Sequence, residues 1–255
     1  MHSPDAALVR RLRDAGCVFA EDEAALLASA ARDADELARL VGRRVAGAPL
    51  EQVVGWAEFC GLRITVAPGV FVPRRRTEVL VAEAVALARP GALVVDLCCG
   101  TGAVAAALAA AVPGIDLHAA DLDPAAVACA RLNLPGTPVH EGDLFAALPA
   151  GLRGRVDVLT ANVPYVPTAA IALLPPEARE HEPATALDGG EDGLALARRV
   201  ASGAREWLAP GGALLFECGE GQVAAALGLV TDAGLAARLV TDDDRGATVV
   251  VGTRR

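Results

Sequence analysis

The chain is 255 residues long, 53% hydrophobic and 3% aromatic, with a formal net charge of −9. So much apolar material supports a buried core and excludes a disordered chain. The acidic balance and the scarcity of aromatics count against a protein that grips duplex phosphates or stacks single-stranded bases.

From residue 5 to residue 46, apolar positions recur at helical spacing: Leu8 and Leu12; Leu26, Leu27 and Ala30; Leu37, Leu40 and Val41. Gly16 and the acidic run Glu21-Asp22-Glu23 are expected to separate the first helix from the second. A small helical domain is expected over residues 1–46. The stretch Ala46-Gly47-Ala48-Pro49-Leu50 breaks it, and residues 47–76 read as a connector. Within that connector, Trp56 to Val66 with Gly61 between two extended runs predicts a β-hairpin.

Residues 77–255 follow a different pattern. Apolar runs at Leu93–Asp96, Ile115–Ala119, Val156–Leu159 and Ala213–Phe216 alternate with Ala/Leu-rich helical stretches. That alternation predicts an α/β domain, a parallel sheet with helices on both faces. Leu235–Val240 and Thr248–Gly252, joined by the acidic turn Asp242-Asp243-Asp244, are expected as an antiparallel hairpin at one sheet edge. No internal repeat is evident.

The cysteines are Cys17, Cys60, Cys98, Cys99, Cys129 and Cys218, with no CxxC pair and no metal-ligand rhythm with the histidines. No metal is expected, and free thiols suit a reducing cytoplasm. The first residues carry scattered charge with no apolar targeting segment. The most apolar stretch, Ala103 to Val112, is too short to span a bilayer. A soluble cytoplasmic protein without a membrane partner is the expectation.

The first strand of the sheet ends in Asp96-Leu-Cys98-Cys99-Gly100-Thr101-Gly102 and leads into a helix. Glycines there let the backbone approach a ligand closely. The run from Gly100 reads GTGAVA, which lacks the full GxGxxG dinucleotide pattern. Strand two ends in Asp121, about twenty residues further on, where a carboxylate can accept hydrogen bonds from ribose hydroxyls. Asp123, before Pro124, is expected to cap the next helix. Strand three leads to Asp143-Leu144, an acceptor for an exocyclic amine and an apolar cover for an adenine face. Three such features at successive strand ends point to a bound nucleoside.

Strand four ends in Asn162-Val163-Pro164-Tyr165. This places a carboxamide, a bare main-chain carbonyl and an aromatic ring at the mouth of the same pocket. These residues are the expected catalytic set.

Here the chain resembles the HemK-type protein-(glutamine-N5) methyltransferases, which modify peptide-chain release factors and, in a sister group, a ribosomal protein. The resemblance rests on an ordered series of motifs. It takes in Arg44 to Gly55, Phe71-Val-Pro-Arg74, the 96–102 loop and Asn162 to Tyr165. It continues through Glu182-Pro183, Ala186 to Gly193, Pro210-Gly-Gly212 and Glu217.

The resemblance implies a class I, Rossmann-like methyltransferase domain with a seven-stranded sheet, behind an N-terminal helical domain that recognises the substrate. S-adenosylmethionine is the implied cofactor, with contacts from Asp96, Cys98, Cys99, Gly100, Thr101, Gly102, Asp121, Asp143, Leu144 and Asn162. The implied partner is a protein presenting a glutamine, such as a release factor or a ribosomal protein. Asn162 through its side-chain oxygen and Val163 through its carbonyl would each accept one N–H of the glutamine amide, with Tyr165 packed along the amide plane.

Two departures mark a divergent subgroup. Position 163 is valine where the family usually has proline, and Arg75-Arg76-Thr77-Glu78 stands where Pro-Glu-Thr-Glu is usual. The alternative acceptor is another planar amine, such as adenine N6 in nucleic acid, against which the acidic balance counts. A nicotinamide-dependent oxidoreductase would need the missing GxGxxG. A non-catalytic binding module would have no use for Asn162, Pro164 and Tyr165 together.

Overall fold

A computed structural model describes residues 5–255. Helices α1 (Ala6–Asp14), α2 (Ala20–Ala30), α3 (Ala34–Val45) and α4 (Leu50–Val54) come first. Their apolar positions meet in one cluster that includes Val9, Leu12, Ala24, Leu27, Val41 and Val53. Glu21-Asp22-Glu23 does not separate two helices; it fills the first turn of α2. The positive end of the helix dipole favours carboxylates there. The Arg44 guanidinium, buried under this cluster, donates to Glu23 at 2.6 Å and also pairs with Glu177 far along the chain.

The connector forms the expected antiparallel hairpin, β1 (Trp56–Phe59) and β2 (Leu62–Thr65). Asn133, the last residue of the helix Pro124–Asn133, fastens it to the main domain. Its Oδ1 accepts from Thr65 N at 2.8 Å, and its Nδ2 donates to Thr65 O and Thr101 O, both at 2.9 Å.

The main domain alternates α5 (Glu78–Leu87), β3 (Leu93–Leu97), α6 (Ala103–Ala111), β4 (Asp116–Asp121), α7 (Pro124–Asn133), β5 (Val139–Glu141) and β6 (Val156–Ala161). Then come the short α8 (Pro176–His181), α9 (Ala195–Trp207), β7 (Leu208–Glu217), α10 (Val223–Asp232), β8 (Ala236–Asp242) and β9 (Ala247–Thr253). The seven-stranded sheet has the order β5-β4-β3-β6-β7-β9-β8. Strands β5 to β7 pair in parallel, and β9 runs antiparallel to both neighbours. The late hairpin therefore lies at the edge as expected, with its second strand inserted next to β7.

Every residue of β3 is buried, as a central strand covered on both faces requires. Leu93, Val95 and Leu97 pack with α9 and α10 on one face, while Val94 packs with α5 and α6 on the other. Side chains alternate across a strand, so one apolar run serves two layers. β3 is flanked by β4 and β6, so the strand order reverses at its carboxyl end. Open α/β sheets bind ligands at such a reversal. Among the described residues, no helix is long and apolar enough to cross a membrane.

Candidate active site

A cavity of about 670 Å³ opens at that reversal. Its floor is the turn from β3 into α6. Gly100 has φ +54 and Gly102 φ +77, a left-handed backbone that favours glycine. A Cβ on Gly100 would meet nothing within 4 Å, whereas one on Gly102 would lie 2.9 Å from Leu134 Cδ1. Gly100 thus leaves room for a ligand, and Gly102 lets the turn pack onto α7. Cys98 shares the left-handed conformation at φ +54 and lines the cavity beside Cys99 and Thr101.

Asp121 at the end of β4 stands over this turn. Its Oδ2 accepts from Gly100 N at 2.8 Å and its Oδ1 from Asp123 N at 2.9 Å. Burial raises its pKa, with these backbone donors working in the opposite direction. Each oxygen retains a lone pair, so the carboxylate can still accept from a ligand. Asp123 caps α7 as expected, accepting from Ala125 N at 2.8 Å ahead of Pro124.

Asp96 is 1% exposed. Its Oδ1 accepts from the Thr160 hydroxyl at 2.8 Å, and its Oδ2 has no partner among the described residues. Burial pushes its pKa up to about 7, Thr160 opposes that rise, and Asp121 adds to it. Asp143 lines the cavity, with one carboxylate oxygen paired to Arg199 at 2.6 Å. Leu144 follows at φ +48 and is buried.

Asn162, Val163, Pro164 and Tyr165 leave the end of β6 and line the same cavity. Val163 is 1% exposed and belongs to the core cluster with Leu97, Leu194 and Phe216. Packing of this side chain restrains the turn where the family's usual proline would do so through its ring. Tyr165 is held on three sides. Its hydroxyl donates to Glu217 Oε2 at 3.4 Å, and the Arg76 guanidinium carbon lies 5.4 Å from its ring centroid. Its main-chain carbonyl accepts from Gln222 Nε2 at 2.9 Å.

The roof is the segment from Pro183 to Asp188. It is pinned to the Tyr165 turn, with Val166 N donating to Leu187 O at 3.1 Å and Gly189 N to Val166 O at 2.8 Å. Of the predicted site residues, all but Gly102 line the cavity; Gly102 is packed against Leu134 and Ala130 instead. Phe71 and Arg76 from the connector, Thr77 just after it, the roof segment, and Arg199 also line the cavity and were not among the predicted residues. The motifs Phe71-Val-Pro-Arg74 and Glu182-Pro183 were the available signal, although neither carries a recognisable chemical role by itself.

The Methyltransferase small domain family model matches residues 61–172. A release factor glutamine methyltransferase from Geobacter sulfurreducens is 41% identical over 219 residues, covering 84% of this chain and 76% of the relative. One from Streptomyces coelicolor is 41% identical over 228 residues, covering 82% and 81%. The chain belongs to the release factor glutamine methyltransferase family. Another relative, a 4-amino-L-phenylalanine/4-methylamino-L-phenylalanine methyltransferase from Streptomyces pristinaespiralis, is 42% identical over 193 residues, covering 72% of this chain and 65% of that protein. Among solved structures, a methyltransferase from Pyrococcus furiosus shares the fold, with a TM-score of 0.58 at 14% identity over 84% of this chain and 96% of that one.

The family's cofactor is S-adenosylmethionine, and the cavity fits it. The cofactor carries a sulfonium and an ammonium, and the walls offer the carboxylates of Asp96, Asp121 and Asp143, with Asp96 Oδ2 still unpartnered. This chain is accordingly an S-adenosylmethionine-dependent methyltransferase of class I, Rossmann-like architecture.

Proposed function

We propose that the chain methylates the side-chain amide nitrogen of a glutamine in a protein, with a peptide-chain release factor as the foremost substrate. One observation carries this reading: the Asn162–Tyr165 turn and the glycine turn face a single cavity. In it, Asp121 and the Asp143-Leu144 step hold the nucleoside, the Gly100 backbone lies alongside, and Asp96 takes the cationic end.

An amide nitrogen is a weak nucleophile because its lone pair is delocalised into the carbonyl. S-adenosylmethionine supplies an electrophilic methyl group with a neutral leaving group. The residues of the chain therefore have to orient and polarise. The Asn162 side-chain oxygen and the Val163 carbonyl each accept one N–H of the amide, which aims the nitrogen and raises its electron density. Tyr165, fixed by Glu217, Arg76 and Gln222, covers the amide plane and keeps water out. We place the protein in the cytoplasm, where its cysteines, all free among the described residues, stay reduced.

A second reading, the amine of a free amino acid, is favoured by the Streptomyces pristinaespiralis relative. Labelled methyl transfer to a purified release factor, and to the same factor with its candidate glutamine replaced by alanine, separates the two. Label in the first and none in the second supports the glutamine reading. Label in neither, with label in an arylamine amino acid, replaces it.

A further inference from the structure

Three consecutive arginines leave the connector, and the structure gives each a different setting. Arg74 Nη2 lies 2.7 and 2.6 Å from the two carboxylate oxygens of Glu182. Arg75 is 82% exposed, 3.9 Å from Glu58. Arg76 lines the cavity beside the Tyr165 ring.

The nearest anion to Arg76 is Glu217, whose Oε2 is 3.8 Å from Arg76 Nε, beyond hydrogen-bond distance. Glu217 is 2% exposed, and burial raises its pKa, which weakens it as a counter-ion. The other cation on the cavity wall, Arg199, is neutralised by Asp143 at 2.6 Å. Asp96, Asp121, Asp123 and Asp188 make the remaining charged wall acidic. Among the described residues, Arg76 is thus the cation on the cavity wall that has no carboxylate within hydrogen-bond distance, and it is where an entering anion is best received. The guanidinium presents a planar fork of donors that matches a carboxylate, and the Tyr165 ring it stands beside belongs to the same turn as Asn162, with both residues on the cavity wall.

We propose that Arg76 determines acceptor specificity by binding a carboxylate that the acceptor carries close to the nitrogen being methylated. The carboxylate has two sources, an acidic residue flanking the glutamine of a protein or the α-carboxylate of a free amino acid. The proposal rests on the Asn162–Tyr165 turn being the acceptor site. It gives the substitution of Arg76 for the family's usual acidic residue a physical role, since it turns a site that repels anions into one that selects them.

The test uses the full chain loaded with S-adenosylhomocysteine for binding, and S-adenosylmethionine for turnover. One arm compares glutamine peptides flanked by Glu with the same peptides flanked by Gln. The other compares an arylamine amino acid with its carboxamide. In at least one arm the carboxylate form should bind about tenfold tighter, as a charge-assisted pair implies. Arg76→Gln should abolish that preference and Arg76→Glu should reverse it. The effect belongs in KM more than in kcat. Cofactor affinity should not move, because Arg76 lies on the acceptor side.

Equal affinity for both forms in both arms overturns the proposal, as does a preference that persists in Arg76→Gln. Peptides methylated without regard to the flanking charge, with no carboxylate preference in the amino-acid arm either, would defeat the Arg76 role and leave the glutamine reading intact. Turnover of the amino acid alone, dependent on its carboxylate and on Arg76, would do the reverse.

Discussion

Arg74 and Glu182 stand 108 residues apart and meet through both carboxylate oxygens, at 2.7 and 2.6 Å. The Glu182 side chain is fully buried, and its Oε1 also accepts from Val72 N at 3.1 Å. This junction holds the connector against the roof segment that begins at Pro183, so both walls of the acceptor pocket depend on it.

Removing the two partners should have unequal consequences. Arg74→Ala strands a buried carboxylate and should cost about 3 kcal/mol in urea unfolding. Glu182→Gln keeps an acceptor for Val72 N and leaves a part-exposed arginine able to reach water. It should cost on the order of 1 kcal/mol. Equal losses would mean that the pair is held by the surrounding packing rather than by its charges.

Asn162 is the residue on which the chemistry turns. Asn162→Ala should lower kcat by about a hundredfold or more, in line with the loss of one oriented polar contact in a transition state. S-adenosylhomocysteine affinity should stay within about threefold, because the nucleoside contacts come from other strands. Near-normal turnover would remove Asn162 from the mechanism.

The parts of this protein legible in its sequence are those set by local pattern. β3 could be read because a short apolar run bounded by turn residues leaves few other structures open to it. Asp123-Pro124 could be read as a cap because both residues act on their own helix. The acidic run at Glu21 was misplaced because carboxylates suit a helix's first turn as well as a loop. Arg76, Arg199 and the 183–188 roof were not assigned to the site because their roles arise only when distant segments close together. Nothing local to Glu182 says that it will meet Arg74.

Gly193, which follows the roof segment, lies close against the acceptor turn. Its φ is +73, and a Cβ there would collide with Gln222 Nε2 and with the main-chain oxygen of Tyr165. Gly193→Ala should therefore break the Gln222–Tyr165 hydrogen bond and destabilise the fold by about 1–3 kcal/mol. Turnover should fall more steeply than cofactor affinity, because the displaced group is on the acceptor side. A fully active, fully stable Gly193→Ala protein would show that Tyr165 is positioned by other contacts.

Asp96 sets a pH dependence whose sign differs between the free and the cofactor-bound protein. Burial lifts its pKa from 3.8 to about 7, so between these values the folded protein keeps a proton that the unfolded chain has released. Its contribution to stability is fully present below about pH 4 and is lost as pH rises through about 7. Asp96→Asn cannot lose a proton, so its thermal midpoint relative to the unaltered protein should rise between pH 5 and pH 8. Cofactor binding should run the other way, since the ionised carboxylate attracts a cationic ligand. The affinity for S-adenosylmethionine should increase about tenfold from pH 6 to pH 8, the change in ionised fraction for a group titrating near 7. Asp96→Asn should bind more weakly with a flat profile. Calorimetric titrations at the two pH values decide the matter, and a flat profile in the unaltered protein would take the cationic end of the cofactor away from Asp96.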